Sequence, residues 1–162
     1  MSAATNSKAL QVTLRPMTEA DLPAIDELER ICFSDPWPRT AFEEVLEGDN
    51  WTPLVAEAEG AIIGYSCHFE VAGEAHLANV AVDPRYRRKS VAKRLLNRIL
   101  DLTRAHGCNQ ILLEVRPSNE SACRFYLNAG FVELYRRPRY YRSPVEEAVV
   151  MCLRLNDDAD NE

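Results

Sequence analysis

The chain has 162 residues, 46% of them hydrophobic and 27% charged, which is the balance of one ordinary globular domain and excludes wholesale disorder. The formal charge is −6, and four acids lie in the last seven residues, so the rest is close to neutral. Nothing in that balance gives the general basic field of a nucleic-acid-binding protein, and no apolar run approaches the ~20 residues of a membrane span.

Taken in chain order, Leu10 to Arg15 alternates with period two and predicts a strand. Thr18, with Asp21 three residues on, starts a helix whose inner face carries Leu22, Ile25, Leu28 and Ile31. Ser34-Asp35-Pro36-Trp37-Pro38 breaks it, and a short helix from about Arg39 to Leu46 ends at Gly48. Trp51 to Ala58 and Ala61 to Glu70 predict two antiparallel strands joined at Glu59-Gly60. His76 to Val82 is almost uninterrupted apolar and predicts a strand buried on both faces. A helix from about Ser90 to His106 follows, closed by Gly107. Gln110 to Arg116 is the next strand. Ser118 or Asn119 caps a helix that runs to Ala129. Phe131 to Arg136 and Val145 to Leu155 are the last strands, separated by a basic, aromatic loop.

The order β-α-α-β-β-β-α-β-α-β-β predicts an α+β domain, of the α/β three-layer sandwich type, with a mixed, mostly antiparallel sheet of about seven strands and four helices. Residues 1–9 read as a flexible start, 10–155 as the domain and 156–162 as an acidic disordered tail. The five cysteines are scattered and form no CxxC pair, and the three histidines show no ligand spacing, so no metal is expected. Free thiols and a polar N-terminus without the apolar core of a secretory signal predict a cytoplasmic protein.

Between the buried strand and the long helix lies Arg85-Tyr86-Arg87-Arg88-Lys89-Ser90, four of its six residues basic. A helix N-terminus presents unpaired N–H groups and partial positive charge, so this turn is a candidate phosphate site, the alternative being a solvated basic loop. In the Gln110–Arg116 strand, Ile111, Leu113 and Val115 share one face, and Leu112, Glu114 and Arg116 share the other. A carboxylate among aliphatic neighbours suits proton abstraction; the alternative is a surface Glu114 paired with Arg116. Asn119 and Tyr126 are seven residues apart and share one helix face.

The segments NVAVDPRYRRKSVAKRLL (79–96) and LLEVRPSNESACRFYLNAGF (112–131), in this order and spacing, resemble the GNAT superfamily of acetyl-CoA-dependent N-acetyltransferases, over about Val12 to Leu155. Asp35-Pro36-Trp37 with Phe42, the Leu113–Arg116 stretch with Asn119 and Tyr126, and Arg137-Pro138-Arg139-Tyr140-Tyr141 look closer to the RimI branch, which acetylates the N-terminal alanine of a small-subunit ribosomal protein. The resemblance implies Glu114 as general base and Tyr126 as general acid toward the CoA thiolate. It implies acetyl-CoA held by the backbone of Val80, Ala81 and Val82, by Arg87, Arg88, Lys89, Ser90, Val91, Ala92 and Lys93, and by Asn119 and Tyr126. It places Trp37, Tyr140 and Tyr141 at the acceptor peptide, the N-terminus of a ribosomal protein. It calls for neither nucleic acid nor membrane. The family's phosphate loop reads Q/R-x-x-G-x-G/A, and Ser90 stands where the first glycine belongs. A Cβ there crowds a phosphate or strains the turn, although a serine hydroxyl can donate to a phosphate oxygen. A small-amine acetyltransferase and a non-catalytic module of the same fold, the latter suggested by Ser90, are the alternatives.

Overall fold

The computed structural model describes residues 9–155. The readings of a flexible start and an acidic tail fall outside that range except at residue 9. The elements are β1 (Thr13–Pro16), α1 (Leu22–Cys32), α2 (Arg39–Glu47), β2 (Trp51–Ala58), β3 (Ala61–Val71), β4 (Glu74–Val82), α3 (Val91–Ala105), β5 (Gln110–Val115), α4 (Glu120–Asn128), β6 (Val132–Arg142) and β7 (Val145–Arg154). One seven-stranded sheet runs β1-β2-β3-β4-β5-β7-β6. Only the β4–β5 pair is parallel, as expected for the one βαβ crossover.

Two apolar clusters flank the sheet. Helix α3 buries Val91, Leu95, Leu96, Ile99 and Leu100 with Ile63, Leu77, Ile111, Leu113 and Phe131. Helices α1 and α2 bury Leu22, Ile25, Leu28, Phe42 and Val45 with Val55, Tyr65, Cys67 and Ala81. Thr18 opens a short 3-10 turn before α1 rather than α1 itself. Its backbone N–H donates to Asp21 at 2.8 Å, and Arg15 holds both oxygens of that carboxylate at 2.7 Å. The Arg15 guanidinium, aided by the Thr18 N–H, lowers the Asp21 pKa to about 2.

Three further expectations need correction. Ile31 is exposed, and Glu29 takes the inward position, because 22, 25 and 29 follow the helical stripe more closely than 31 does. Strand β4 is not buried on both faces: His76, Ala78 and Val80 are half-buried, since the last two border a cleft. Of the two expected caps, Asn119 takes the place at α4, accepting from the Ala122 N–H at 3.2 Å, while Ser118 binds Glu146. The expected basic loop at 136–142 is strand. It pairs with β7 out to Arg142↔Val145, with an irregularity between Arg137 and Tyr141 that contains Arg139 at φ 51°. Aromatic residues favour the extended backbone, and the bulge absorbs Pro138, which has no N–H for the ladder.

The feature that shapes the site is a bulge in β4. Cys67 pairs with Asn79, while the next residue of β3, His68, pairs with Leu77, so Ala78 is an extra residue. The β4–β5 ladder also stops there, at Leu77↔Leu113. A bulge bends its strand and raises the local twist. Beyond it β4 and β5 diverge, and the backbone of Ala78–Val82 facing β5 lacks strand partners. Gly64 on β3 permits the far end of β4 to pack closely, since a Cβ would lie 2.9 Å from the Ala81 carbonyl oxygen.

His68 is fully buried on β3, and neither ring nitrogen has a hydrogen-bond partner. Burial lowers its pKa to about 4, against an opposing pull from Glu70, whose carboxylate lies 3.9 Å away and is itself bonded to His106 at 2.8 Å. The folded pKa lies below the unfolded value near 6.5, so the neutral form is favoured by folding. Its contribution is present above about pH 6.5 and is lost as pH falls toward 4. At about 1.4 kcal/mol per pKa unit, the loss reaches ~3 kcal/mol. Denaturant unfolding of wild type and His68→Leu between pH 7.5 and 4 is expected to show a shallower pH dependence in the variant by that order; identical slopes would exclude His68 as a source.

Candidate active site

Two hollows open along the divergent edges of β4 and β5. The first is a cleft of about 510 Å³. Its floor is Leu77–Val80 and Leu113–Arg116, one wall is the α1–α2 connection Phe33–Pro38, and the other is formed by Asn119, Ala122 and Tyr126 of α4 with Tyr140 and Tyr141 of β6. It therefore brings together Glu114, Tyr126, Asn119, Val80, Trp37, Tyr140 and Tyr141, residues spread over more than 100 positions of sequence.

Glu114 is half-buried on the β5 face opposite Ile111, Leu113 and Val115. Its expected partner Arg116 is engaged elsewhere: it donates to the Pro144 carbonyl at 2.9 Å, lies 3.6 Å from Glu146, and sits 4.1 Å over the Tyr141 ring. That leaves the Glu114 carboxylate at the floor of the cleft without this ion pair. Tyr126 packs edge-on against Phe125 and Phe131, at 5.2 and 5.4 Å. Burial raises its pKa to about 12, so its hydroxyl keeps a proton to donate across the neutral range. Tyr140 and Tyr141 meet edge-on at 5.0 Å, and burial raises both phenols. The Ser34 hydroxyl donates to the Ser143 carbonyl at 2.7 Å, joining the α1–α2 wall to the β6–β7 turn.

The second hollow, about 320 Å³, lies at the start of α3 and is lined by Val82, Tyr86, Arg87, Arg88, Ser90, Val91, Ala92, Lys93 and Phe125. Arg87, Arg88 and Lys93 are exposed, and their charge is joined by the free N–H groups of the first turn of α3. The set suits a multiply charged anion. Ser90 has φ 61° and ψ 19°, and Arg88 also has φ 61°. The chain thus adopts the left-handed turn that a glycine would take freely, and a non-glycine residue there carries a strain of about 1–3 kcal/mol. Lys89 departs from expectation: it borders a separate hollow with Leu10, Glu57 and Gly60. Arg85 is tied to Asp83 at 2.8 Å, away from the anion site.

Three residues around the two hollows take parts that the sequence does not assign. Phe125 lines the basic hollow, Arg116 braces the β6–β7 turn, and Glu29 is buried at the cleft wall. Glu29 had a visible signal, a charge on the apolar stripe Leu22–Ile25 of α1. Among the described residues no cluster of His, Cys, Asp or Glu could hold a metal ion, and no helix is long and apolar enough to cross a membrane.

Comparison with known proteins places this geometry. The model of the Acetyltransferase (GNAT) family matches residues 22–131. The Escherichia coli K12 protein named [ribosomal protein bS18]-alanine N-acetyltransferase is 30% identical over 146 residues, covering 89% of this chain and 98% of the relative. The Mycobacterium tuberculosis N-alpha-acetyltransferase RimI is 32% identical over 146 residues, covering 86% and 90%. The crystal structure of the ribosomal-protein-S18-alanine N-acetyltransferase from Escherichia coli superposes with a TM-score of 0.84 at 29% identity, over 94% of this chain and 99% of that one. The chain belongs to the acetyltransferase (GNAT) family.

Proposed function

We propose that this protein is an N-terminal acetyltransferase of the RimI type, which transfers the acetyl group of acetyl-CoA directly to the α-amine of an N-terminal alanine on a small-subunit ribosomal protein, in the cytoplasm. The observation that carries the reading is the joining of Glu114 and Tyr126 in one cleft on the unpaired edge of β4. Similarity to relatives named for this reaction supports the choice of acceptor.

Acetyl-CoA supplies an acetyl thioester, and the chain fits it at both ends. Arg87, Arg88, Lys93 and the first turn of α3 match the phosphates, and the free β4 backbone at Val80–Val82 matches an amide-bearing arm that adds to a sheet edge. Ser90 and Ala92 line that turn, and Asn119 lines the cleft with Tyr126. At the acceptor, Glu114 takes a proton from the ammonium, freeing the nitrogen lone pair. A C–N bond forms at the carbonyl carbon and the C–S bond breaks. Tyr126 donates a hydrogen bond to the departing sulfur. With a pKa near 12 it passes that proton to the sulfur only as the second proton shed by the nitrogen, released when the amide forms, replaces it. Trp37, Tyr140 and Tyr141 line the route of the acceptor chain. A cysteine acyl-enzyme does not fit: burial raises the thiol pKa of both Cys32 and Cys123, which disfavours the thiolate nucleophile.

The base is tested by Glu114→Gln, which keeps shape and removes basicity. With saturating acetyl-CoA and an N-terminal alanyl peptide, kcat is expected to fall by roughly 10²–10⁴. Part of the loss should return as pH rises through about 8, where an α-amine loses its own proton. Tyr126→Phe is expected to show a smaller deficit, independent of acceptor basicity. Near-normal turnover of Glu114→Gln from pH 6 to 9.5 would remove the base assignment. Acetylation of spermidine in preference to the peptide would overturn the acceptor.

The anion site is tested by calorimetry with acetyl-CoA. Arg88→Ala is expected to weaken binding and to flatten its salt dependence. Ser90→Gly relieves the left-handed strain and is expected to bind equally well or more tightly, with a raised melting temperature. A clear loss of affinity in Ser90→Gly would instead make the serine hydroxyl part of the site.

A further inference from the structure

Glu29 is a charged side chain with 1% exposure, in the inner stripe of α1. Both carboxylate oxygens are occupied. Oε1 accepts from the Trp37 backbone N–H at 3.0 Å and from the Asn79 amide at 3.2 Å; Oε2 accepts from the same amide at 3.0 Å and from the Tyr65 hydroxyl. A carboxylate offers about four lone-pair positions, and four contacts fill them. Glu29 therefore has no vacancy for a substrate proton, although it borders the same cleft as Glu114.

The donors come from three separate elements. Tyr65 is on β3, Asn79 is the residue of β4 directly after the bulge, and Trp37 is in the wall formed by residues 33–38. Two of these elements, the wall and β3, are also joined by rings through α2: Trp37 lies 5.4 Å from Phe42, which meets Tyr65 edge-on at 5.7 Å. The polar and aromatic links fix one wall of the cleft to the strand that forms its floor. A carboxylate accepts from every partner at the hub. An amide in its place would set N–H against N–H unless the Tyr65 hydroxyl or the Asn79 amide turned to accept.

We propose that Glu29 is a positioning residue for the acceptor: it locks the Trp37 wall to β4 at the bulge, so that the width of the acceptor channel depends on a buried carboxylate that never contacts the reacting atoms. This rests on the N-terminal acetyltransferase reading for its kinetic consequence, but not for its structural one. Glu29→Gln leaves the phosphate site and Glu114 untouched. It is expected to raise KM for an N-terminal alanyl peptide at least 10-fold, with acetyl-CoA affinity within about threefold of wild type and the pH midpoint of kcat unmoved. Tyr65→Phe removes one donor and keeps the ring, so it should shift KM in the same direction by less. Pairing Glu29→Gln with Asn79→Asp restores a donor opposite an acceptor and is expected to recover most of the peptide KM.

The structural half is read without substrate. Trp37 and Trp51 are the two tryptophans, so Trp51→Phe leaves Trp37 as the sole indole reporter. In that background Glu29→Gln, and to a lesser degree Tyr65→Phe, should redden Trp37 emission and raise its quenching by acrylamide. If wild type acetylates no N-terminal peptide yet Trp37 is released, the functional reading fails and the positioning role stands. Unchanged Trp37 emission in both variants would overturn the proposal. So would a fall in kcat with a displaced pH profile and unchanged KM, because that would make Glu29 a proton acceptor. Equal loss of acetyl-CoA binding and peptide binding in Tyr65→Phe would also overturn it, by reducing Glu29 to a general stabiliser of the fold.

Discussion

One extra residue in β4 determines where everything else can happen. Ala78 has no partner in β3, and from that point β4 and β5 part after only four paired residues. A sheet interior normally satisfies every backbone group, and an unpaired N–H or carbonyl is costly unless water or a ligand meets it. The bulge therefore creates a polar backbone edge inside an otherwise apolar sandwich. The edge begins beside Leu113–Glu114 and leads to Val82, next to the start of α3. Glu114, Tyr126 and the basic hollow at the start of α3 follow as neighbours of that edge.

The two walls of the cleft are held by different chemistry. On the α1–α2 side a buried anion gathers neutral donors, and the rings of Trp37, Phe42 and Tyr65 fill the space behind. On the β6–β7 side the brace is a cation: Arg116 reaches the turn carbonyls, Glu146 and the face of Tyr141. The exposed parts of that network contribute little to stability by themselves. Their value is geometric, since Arg116 leads directly from β5, two residues after Glu114, to the tyrosine across the cleft.

The alternation of β5 and the register of α4 were legible in sequence, because both are short-period patterns set by a single core face. Glu114, Asn119 and Tyr126 are assigned to one site through the resemblance to the GNAT superfamily, and the cleft does hold them together. The bulge could not be read, since Leu77-Ala78-Asn79 carries no glycine or proline to mark an extra residue. The same blindness affected the continuous apolar run of β4, which suggested two buried faces when its free side lines a cleft. The Arg136–Arg142 segment reads as a loop because its charge and Pro138 outweigh its aromatic content; pairing with β7 makes it strand. Lys89 shows the limit of a charge cluster as a guide: neighbours in sequence around a left-handed turn point into different hollows.

The short β4–β5 ladder also makes the sheet mechanically uneven. Strands β1–β4 form one antiparallel block and β5–β7 another, and the seam between them consists of four paired positions, the Asn109 N–H to Gly73 carbonyl bond at 2.8 Å, and the packing of the helices. Under the proposed function, an extended arm bonded to Val80–Val82 along the open part of that seam would act as a splint for the folded domain. At a free concentration one hundred times its dissociation constant, such a ligand adds about 2.7 kcal/mol to the free energy of unfolding by mass action alone. On that reading the cosubstrate concentration around the protein would set its folding stability as well as its occupancy.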